Sequence, residues 1–310
     1  MKINPSKPVY DPNAYTQPYQ TSDPYRQTQV VRTTPPPKKR SGCLGCLVPV
    51  VLVLLLVAAY LLFPARTNLL ILGADRTEGQ EIGRTDTNIL VTVLPLQPYV
   101  GMLSIPRDLW LPIPGHGENR INTAHFFAEV ENPGSGPQAT ARVIRDSFHV
   151  DAPYYVRIYF SGFKDVIDAM GGVTVDLPKP MANLDAGQHH LDGDQALAFV
   201  RERKSTDDFF RMERGQFLIK AAFQQMLSPA SWSRIPQIYT ALSQSVKTNV
   251  PVWLWPRLGL AFLRVGPNGI DSRTIDRTMV NPFTTSGGAA VLAPDWPKIR
   301  PLITEMFGVQ

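Results

Sequence analysis

The feature that most constrains this chain is a run of 21 residues without a charged side chain, residues 43–63. A helix of about 20 apolar residues matches the hydrocarbon thickness of a bilayer, so the run predicts one membrane-spanning helix. Three basic residues (38–40) precede the run, and only Arg66 follows it closely. This asymmetry predicts a single-pass protein of the cell membrane, with its N-terminus in the cytoplasm and residues 67–310 outside the cell.

Two other interpretations of the apolar run are a buried core helix and a cleaved signal peptide. The region before the run is about twice as long as the charged region of a signal peptide, and no small-residue cleavage motif follows it. Both observations favour an uncleaved anchor.

Residues 1–42 predict a disordered cytoplasmic tail. Residues 1–40 contain eight prolines and four tyrosines but few aliphatic side chains, too little apolar surface to offset the entropy of ordering. A partner-binding segment is the alternative to a simple tether. The same 40 residues hold seven Lys/Arg and two Asp, whereas the rest of the chain has 24 residues of each sign. The folded part is therefore neutral, and we expect no nucleic-acid partner.

Beyond residue 67, patterns typical of strands and helices alternate. Continuous apolar runs predict buried strands over residues 69–73, 88–94 and 99–105. Asp192 followed by Gln195 resembles a capping box and predicts a helix over Gly193–Arg201. The last eighty residues show helical patterns over residues 232–247, 252–265 and 296–307. The alternation predicts an α/β domain over residues 67–310, a mixed sheet sandwiched by helices.

Several catalytic motifs are absent from the sequence. The five histidines show no zinc-binding spacing, and there is no Walker loop, G-x-G-x-x-G turn or G-x-S-x-G elbow. The only two cysteines, Cys43 and Cys46, exclude a disulfide-stapled fold. Zinc, hydride-transfer, nucleotide-driven and serine-hydrolase chemistry therefore lose their usual support.

Carboxylates and arginines follow or precede the first three predicted strands. Asp75 stands in G-A-D-R, Arg84 and Asp86 in G-R-T-D-T, and Arg107 and Asp108 in S-I-P-R-D. If the strands are neighbours, these side chains converge. Paired carboxylates suit a Mg²⁺ ion that phosphate oxygens complete, and arginines bind phosphate in bidentate fashion. The alternative is ordinary Arg–Asp pairing at loop ends.

A second cluster of four arginines lies within fourteen residues: Arg201, Arg203, Arg211 and Arg214. Arg211 and Arg214 are one helical turn apart and share a face. The cluster suits a polyanion such as pyrophosphate, although two helices joined by salt bridges would produce a similar pattern.

Together these segments resemble the LytR–CpsA–Psr family. The matching segments occur in the family's order: LGADR (72–76), GRTDT (83–87), LSIPRD (103–108), RINTA (120–124), AMGGV (169–173), LDGDQALAFVRER (191–203) and DFFRMER (208–214). The resemblance implies an α/β/α fold with a long apolar pocket for a polyprenyl chain. It implies an enzyme that transfers a glycopolymer from a polyprenyl-pyrophosphate carrier to a peptidoglycan hydroxyl, releasing polyprenyl phosphate.

The resemblance also implies roles for individual residues. Asp75 and Asp86 would bind Mg²⁺, and Arg107, Asp86 and Asp108 are the candidate catalytic residues, with the two carboxylates as alternative general bases. The residues expected to bind pyrophosphate are Arg84, Arg107, Arg201, Arg203 and Arg211, with Arg214 as a lower-ranked contact.

One position departs from the family pattern. The family usually has a phosphate-binding Gln after its last arginine, but here Gly215 occupies that position and Gln216 follows one residue later. One residue turns a side chain by about 100° around a helix, so Gln216 replaces the family Gln only if the helix is irregular.

Four phenylalanines are candidates for lining the lipid pocket: Phe126, Phe127, Phe163 and Phe217. Packing in the protein core is the alternative role for each of them. Two alternative functions also stay open at this point. One is hydrolysis of the same lipid pyrophosphates, and the other is a non-enzymatic, membrane-anchored regulator of the cell envelope.

Overall fold

The computed structural model describes residues 44–74, 83–202 and 208–309, without the side chains of residues 44–47 and 208. The chain divides after Pro49 into two units. Of the first unit the structure describes only the start of a helix. The second unit, Val50–Gln310, contains the central sheet and its covering helices. The tail predicted over residues 1–42 lies outside the described residues.

Within the described residues, the strands form one large sheet and three hairpins. They are β1 (Thr67–Ala74), β2 (Thr85–Leu94), β3 (Tyr99–Ile105), β4 (Trp110–Ile113), β5 (Gly117–Arg120), β6 (Tyr154–Tyr159), β7 (Val173–Leu177), β8 (Gly187–Leu191), β9 (Val246–Thr248), β10 (Asp271–Thr274), β11 (Val280–Thr284) and β12 (Ala290–Pro294). The helices are α1 (Leu44–Leu62), α2 (Ile121–Glu131), α3 (Gly136–Phe148), α4 (Phe160–Met170), α5 (Gly193–Arg201), α6 (Asp208–Leu227), α7 (Pro229–Trp232), α8 (Ile235–Ser245), α9 (Leu254–Val265) and α10 (Trp296–Phe307).

The large sheet has six strands in the order β10-β3-β2-β1-β6-β9. β1 is parallel to β6 and β3 is parallel to β10, whereas the other neighbours are antiparallel. The sheet is therefore mixed, as the sequence predicts.

Helices cover both faces of this sheet. On one face, Leu70, Leu90 and Leu103 pack against α2, α3 and α10. On the other face, Ile89 and Val91 pack against α6 and α9. Because the central strands are buried on both faces, apolar residues follow one another along much of their length, which explains the continuous runs in the sequence. The predicted α/β/α arrangement is confirmed.

The strand directions give the sheet two different ends. β1, β3, β6 and β10 finish at one end, where β2 begins, and we call this the carboxyl end. The opposite, amino end is where the chain enters β1 shortly after α1. β1 has eight residues, and at about 3.3 Å per residue the two ends are roughly 25 Å apart.

The observed bounds of most helices and strands lie at or near the predicted ones. α5 begins with the predicted capping box, in which Asp192 and Gln195 each bond the other's backbone amide. The helix predicted over residues 232–247 is wrong in its first and last turns: α8 spans only Ile235–Ser245, and the next three residues form β9. The edge strands β9 and β10 are additions that the sequence patterns do not indicate.

α1 occupies most of the apolar run at residues 43–63. Among the helices of the described residues, none has both the length and the apolar character needed to cross a membrane.

Gly162 allows α4 to approach α8 closely. A Cβ atom added there would lie 2.3 Å from the Cβ of Ser245. We expect Gly162→Ala to lower the free energy of unfolding by about 1–3 kcal/mol, the usual cost of overpacking, in urea titrations of the full chain. The control is Gly259→Ala in α9, where an added Cβ meets nothing within 4 Å. This control should match the parent or gain up to about 1 kcal/mol, so equal losses in both variants would contradict the packing argument.

Candidate active site

A β-bulge presents Asp86 at the carboxyl end of the sheet. In the β1–β2 pairing, Gly73 is opposite Thr87 and Ala74 is opposite Thr85, so Asp86 has no partner residue across the strands. Bulges of this kind redirect a side chain away from the regular alternation. A Cβ on Gly73 would lie only 3.0 Å from the Thr87 side chain, so glycine suits this close pairing.

Asp86 belongs to a chain of alternating charges that continues past β3. Arg107 Nη1 is 2.5 Å from Asp86 Oδ1, and Arg107 Nε is 3.5 Å from Asp108 Oδ2. On its other oxygen, Asp108 meets Arg120 Nε at 3.1 Å. The exposed fractions of these side chains lie between 13% and 28%, so solvent screens the pairs only in part. The predicted convergence is confirmed for Asp86, Arg107 and Asp108.

Two members of the second arginine cluster, Arg201 and Arg211, line a cleft together with Asp86 at the same end of the sheet. The cleft, about 470 Å³ including its open mouth, is lined by Asp86, Thr87, Asn88, Ser104, Phe160, Val200, Arg201, Arg211, Met212 and Gly215. Arg201 ends α5 and stacks on the Phe160 ring, with 4.8 Å between guanidinium carbon and ring centroid. Residues about 115 positions apart in the chain therefore form opposite walls of one charged cleft.

Arg214 and Gln216 do not line this cleft. Arg214 is 1% exposed, donates to the backbone oxygen of Glu202 at 2.6 Å and lies 3.7 Å from its carboxylate. Burial lowers the pKa of the Arg214 guanidinium, and the charge of Glu202 opposes that effect. Gln216 donates to Ser104 Oγ at 2.9 Å and to the backbone oxygen of Arg273 at 2.7 Å. Both side chains therefore hold α6 against its neighbours.

Gly215 leaves part of the cleft wall without a side chain. α6 is continuous from Asp208 to Leu227, so no irregularity rotates Gln216 into the place of Gly215. A Cβ built on Gly215 would have no neighbouring atom within 4 Å. The cleft is therefore wider at the position where the family usually has a Gln.

The remaining predicted site residues are distributed over several places. Asp75 and Arg203 lie outside the described residues. Arg84 is exposed, with its guanidinium carbon 5.4 Å from the centroid of the Phe126 ring. Phe127 stacks on His116 and packs against the core on the α2 side of the sheet.

Phe163 and Phe217, by contrast, pack in a separate cluster around α4, α5 and α8. The four phenylalanines thus do not share one surface in the structure, and their role as lipid contacts stays a prediction.

A buried charged network joins α2 to β6 and to Gly83, and sequence reasoning missed it. His125 Nδ1 is 3.1 Å from the backbone oxygen of Gly83, and its Nε2 is 3.3 Å from Arg157 Nη1. Arg157 also donates to Glu129 at 2.6 Å. Since Arg157 can only donate, Nε2 accepts and Nδ1 donates to Gly83, the residue before Arg84. The sequence clue is the i, i+4 spacing of His125 and Glu129 in α2.

The network requires a neutral His125. Burial lowers its pKa from 6.5 to about 4, assisted by the charge of Arg157 and opposed by that of Glu129. Burial opposes the charged form of Glu129, yet hydrogen bonds from the amides of Gly134 and Gly136 and the charge of Arg157 keep its pKa below the usual value.

These shifts predict that acid destabilises the fold. Between pH 6.5 and about 4 the unfolded chain protonates His125 and the folded chain does not, so stability falls as the pH drops through this window. In urea titrations at several pH values, His125→Gln should flatten this dependence above pH 5. The control, His190→Gln at an exposed ring, should keep the parental slope. Parental pH dependence in His125→Gln would show that His125 is not the titrating group.

Comparisons with known proteins find relatives among transferases. The chain is 38% identical over 189 residues to polyisoprenyl-teichoic acid–peptidoglycan teichoic acid transferase TagU of Oceanobacillus iheyensis. It is 31% identical over 199 residues to the TagT transferase of the same description from Bacillus subtilis. Each match covers 59% of this chain, and the chain spans 58% and 60% of these relatives, less than two thirds of either.

The fold is also similar to solved structures. The crystal structure of Bacillus subtilis TagV superimposes with a TM-score of 0.64 and 26% identity, over 80% of this chain and 99% of that one. The sequence profile of the LytR_cpsA_psr family matches residues 64–306, most of the chain. The chain therefore belongs to the LytR–CpsA–Psr family.

Proposed function

We propose that this protein transfers a glycopolymer from a polyprenyl-pyrophosphate carrier to a hydroxyl of peptidoglycan. The observation that carries the proposal is the cleft in which Asp86 on the sheet faces Arg201 and Arg211 on the helices. Guanidinium groups bind phosphate oxygens in pairs, and a pyrophosphate presents enough oxygens for several of them. The names of the TagU and TagT relatives support a teichoic acid as the polymer.

In the proposed reaction the hydroxyl oxygen attacks the phosphorus that carries the glycan. The new bond is the P–O bond of a phosphodiester, and the bond that breaks joins this phosphorus to the oxygen of the polyprenyl phosphate. The leaving phosphate gains negative charge as the bond breaks. Arg107, Arg201 and Arg211 would stabilise that charge, with Arg84 and Arg203 as further ligands, because fixed cations act where charge develops.

The hydroxyl proton needs an acceptor, for which Asp86 and Asp108 are the candidates. Asp108 is fixed between Arg107 and Arg120 beyond the end of β3, whereas Asp86 lines the cleft itself. If Asp86 binds a metal ion, Asp108 is the carboxylate left to accept the proton. We therefore propose Asp108 as the general base.

Asp86 and Asp75 would hold a Mg²⁺ ion. Mg²⁺ usually takes one or two protein carboxylates together with phosphate oxygens, and the carboxylate of Asp86 on the cleft wall fits this donor set. Within the described part of the chain, no three His, Cys, Asp or Glu side chains form a metal site by themselves. When bound, the ion would supply positive charge to the phosphate oxygens.

The proposed polyprenyl carrier resides in the membrane, which supports the interpretation of this chain as a membrane-anchored protein. We propose that residues 43–63 anchor the chain, with residues 1–42 in the cytoplasm and the folded domain outside. The cleft lies at the carboxyl end of the sheet, whereas the anchor joins the amino end, so the cleft stands roughly 25 Å from the anchor along β1. The polyprenyl chain of a bound carrier would have to span that distance between the cleft and the bilayer.

Removal of one of the arginines proposed to bind pyrophosphate should slow the reaction strongly. We expect Arg107→Ala and Arg211→Ala to lower kcat by about 10²–10³, the effect of losing one charge-stabilising donor. The measurement is release of polyprenyl phosphate from a lipid-linked teichoic acid precursor, with and without peptidoglycan. The control, Arg145→Ala at an exposed residue of α3, should keep the parental rate. Parental rates in both Arg107→Ala and Arg211→Ala would refute the proposal that these arginines stabilise the leaving phosphate. Equal release of polyprenyl phosphate with and without peptidoglycan would indicate a hydrolase.

The metal proposal has a separate test. Chelation by EDTA should abolish the transfer, and added Mg²⁺ should restore it. Asp86→Asn should raise the Mg²⁺ concentration needed for half-maximal rate, because a neutral amide binds the ion less strongly than a carboxylate. Electron paramagnetic resonance of Mn²⁺, used in place of Mg²⁺, measures the affinity for the ion independently of turnover. Unchanged Mn²⁺ affinity in Asp86→Asn would exclude Asp86 as a ligand.

A further inference from the structure

Several exposed apolar side chains lie at the amino end of the sheet. Val252, Trp253 and Trp255 are 78%, 65% and 53% exposed, although they lie within four consecutive residues. Leu96, 47% exposed, lies in the turn between β2 and β3. Soluble surfaces rarely expose several large apolar side chains together unless something covers them.

Strand pairing places both segments at this end. The β2–β3 turn connects the finish of β2 with the start of β3, which is the amino end by definition. β9 runs antiparallel to β6, pairing Val246 with Ile158 and Thr248 with Val156, so the chain reaches residues 249–255 while moving toward the start of β6. Arg264, near the C-terminal end of α9, donates a 2.5 Å hydrogen bond to the backbone oxygen of Pro95, so α9 runs from the tryptophans to the β2–β3 turn.

The same surface is joined to the C-terminal end of α1. The Tyr60 hydroxyl donates to the backbone oxygen of Trp253. Arg257, 6% exposed, donates to the backbone oxygens of Phe63, at 2.8 Å, and Ala65. The exposed tryptophans therefore continue directly from a helix whose side chains over residues 50–57 are between 47% and 63% exposed.

The chemistry of this surface fits the interfacial region of a bilayer. Tryptophan is enriched there because its ring is apolar while its N–H can form hydrogen bonds. Here the Trp255 N–H donates to the backbone oxygen of Val250 at 3.3 Å. Residues 250–270 contain two arginines and no acidic residue, so nothing in that segment repels anionic headgroups. A protein partner would need no such continuity with the apolar helix.

We propose that Leu96, Val252, Trp253 and Trp255 form a membrane-docking surface that inserts into the headgroup region of an anionic bilayer. The surface fixes the tilt of the folded domain and keeps the cleft away from the membrane plane. This inference rests on the anchor proposed for residues 43–63 and is independent of the transfer reaction.

Fluorescence quenching by brominated lipids tests the docking surface. The full chain is reconstituted in liposomes of phosphatidylcholine and phosphatidylglycerol with brominated acyl chains. The double variant Trp253→Phe/Trp255→Phe, which keeps aromatic side chains, should lose at least half of the parental quenching. The control Trp110→Phe, at the start of β4 near the carboxyl end, should lose none.

Parental quenching in the double variant would overturn the proposal. If neither brominated lipids nor aqueous acrylamide quench the fluorescence of Trp253 and Trp255, a protein partner covers this surface. That result would also overturn the proposal. A second measurement separates this result from failure of the transferase proposal. In vesicles, Trp253→Ser/Trp255→Ser should slow transfer from a full-length lipid donor several-fold, while a short-chain, water-soluble donor should react at the parental rate.

Discussion

Compensation of charge at the carboxyl end of the sheet is the constraint on which the site depends. Arginines beside a buried sheet are stable only with counter-charges, and here Asp86 and Asp108 supply them to Arg107. The bulge that presents Asp86 therefore also fixes the guanidinium of Arg107 before any phosphate binds. An incoming anion would exchange one set of ionic contacts for another, with little rearrangement of the protein.

The sequence predicts the centre of the molecule well, because burial on both sheet faces leaves continuous apolar runs. β3 and α5 have their predicted bounds, the latter because the capping box at Asp192 fixes its start. The convergence of Asp86 with Arg107 follows from the same logic, since both residues adjoin buried neighbouring strands. Local sequence patterns are thus sufficient to predict the structure where strands that follow one another in the chain are also neighbours in the sheet.

The parts that sequence reasoning missed depend on tertiary contacts. β10 (Asp271–Thr274) contains no apolar side chain, so only its parallel pairing with β3 makes it a strand. The hydrogen bonds of the His125, Glu129 and Arg157 network join residues that are 28 to 42 positions apart, which no local pattern reveals. Gln216 points to the sheet because α6 packs on β3 and β10, a contact that spacing alone does not fix.

The absence of a side chain at Gly215 affects both the stability of α6 and the width of the cleft. Glycine within a helix costs about 1 kcal/mol relative to alanine, so α6 carries a local defect where it borders the cleft. Any mutation that repairs the defect also adds atoms to the cleft wall. Selection for heat resistance and selection for a bulky substrate would therefore act in opposite directions on this one codon.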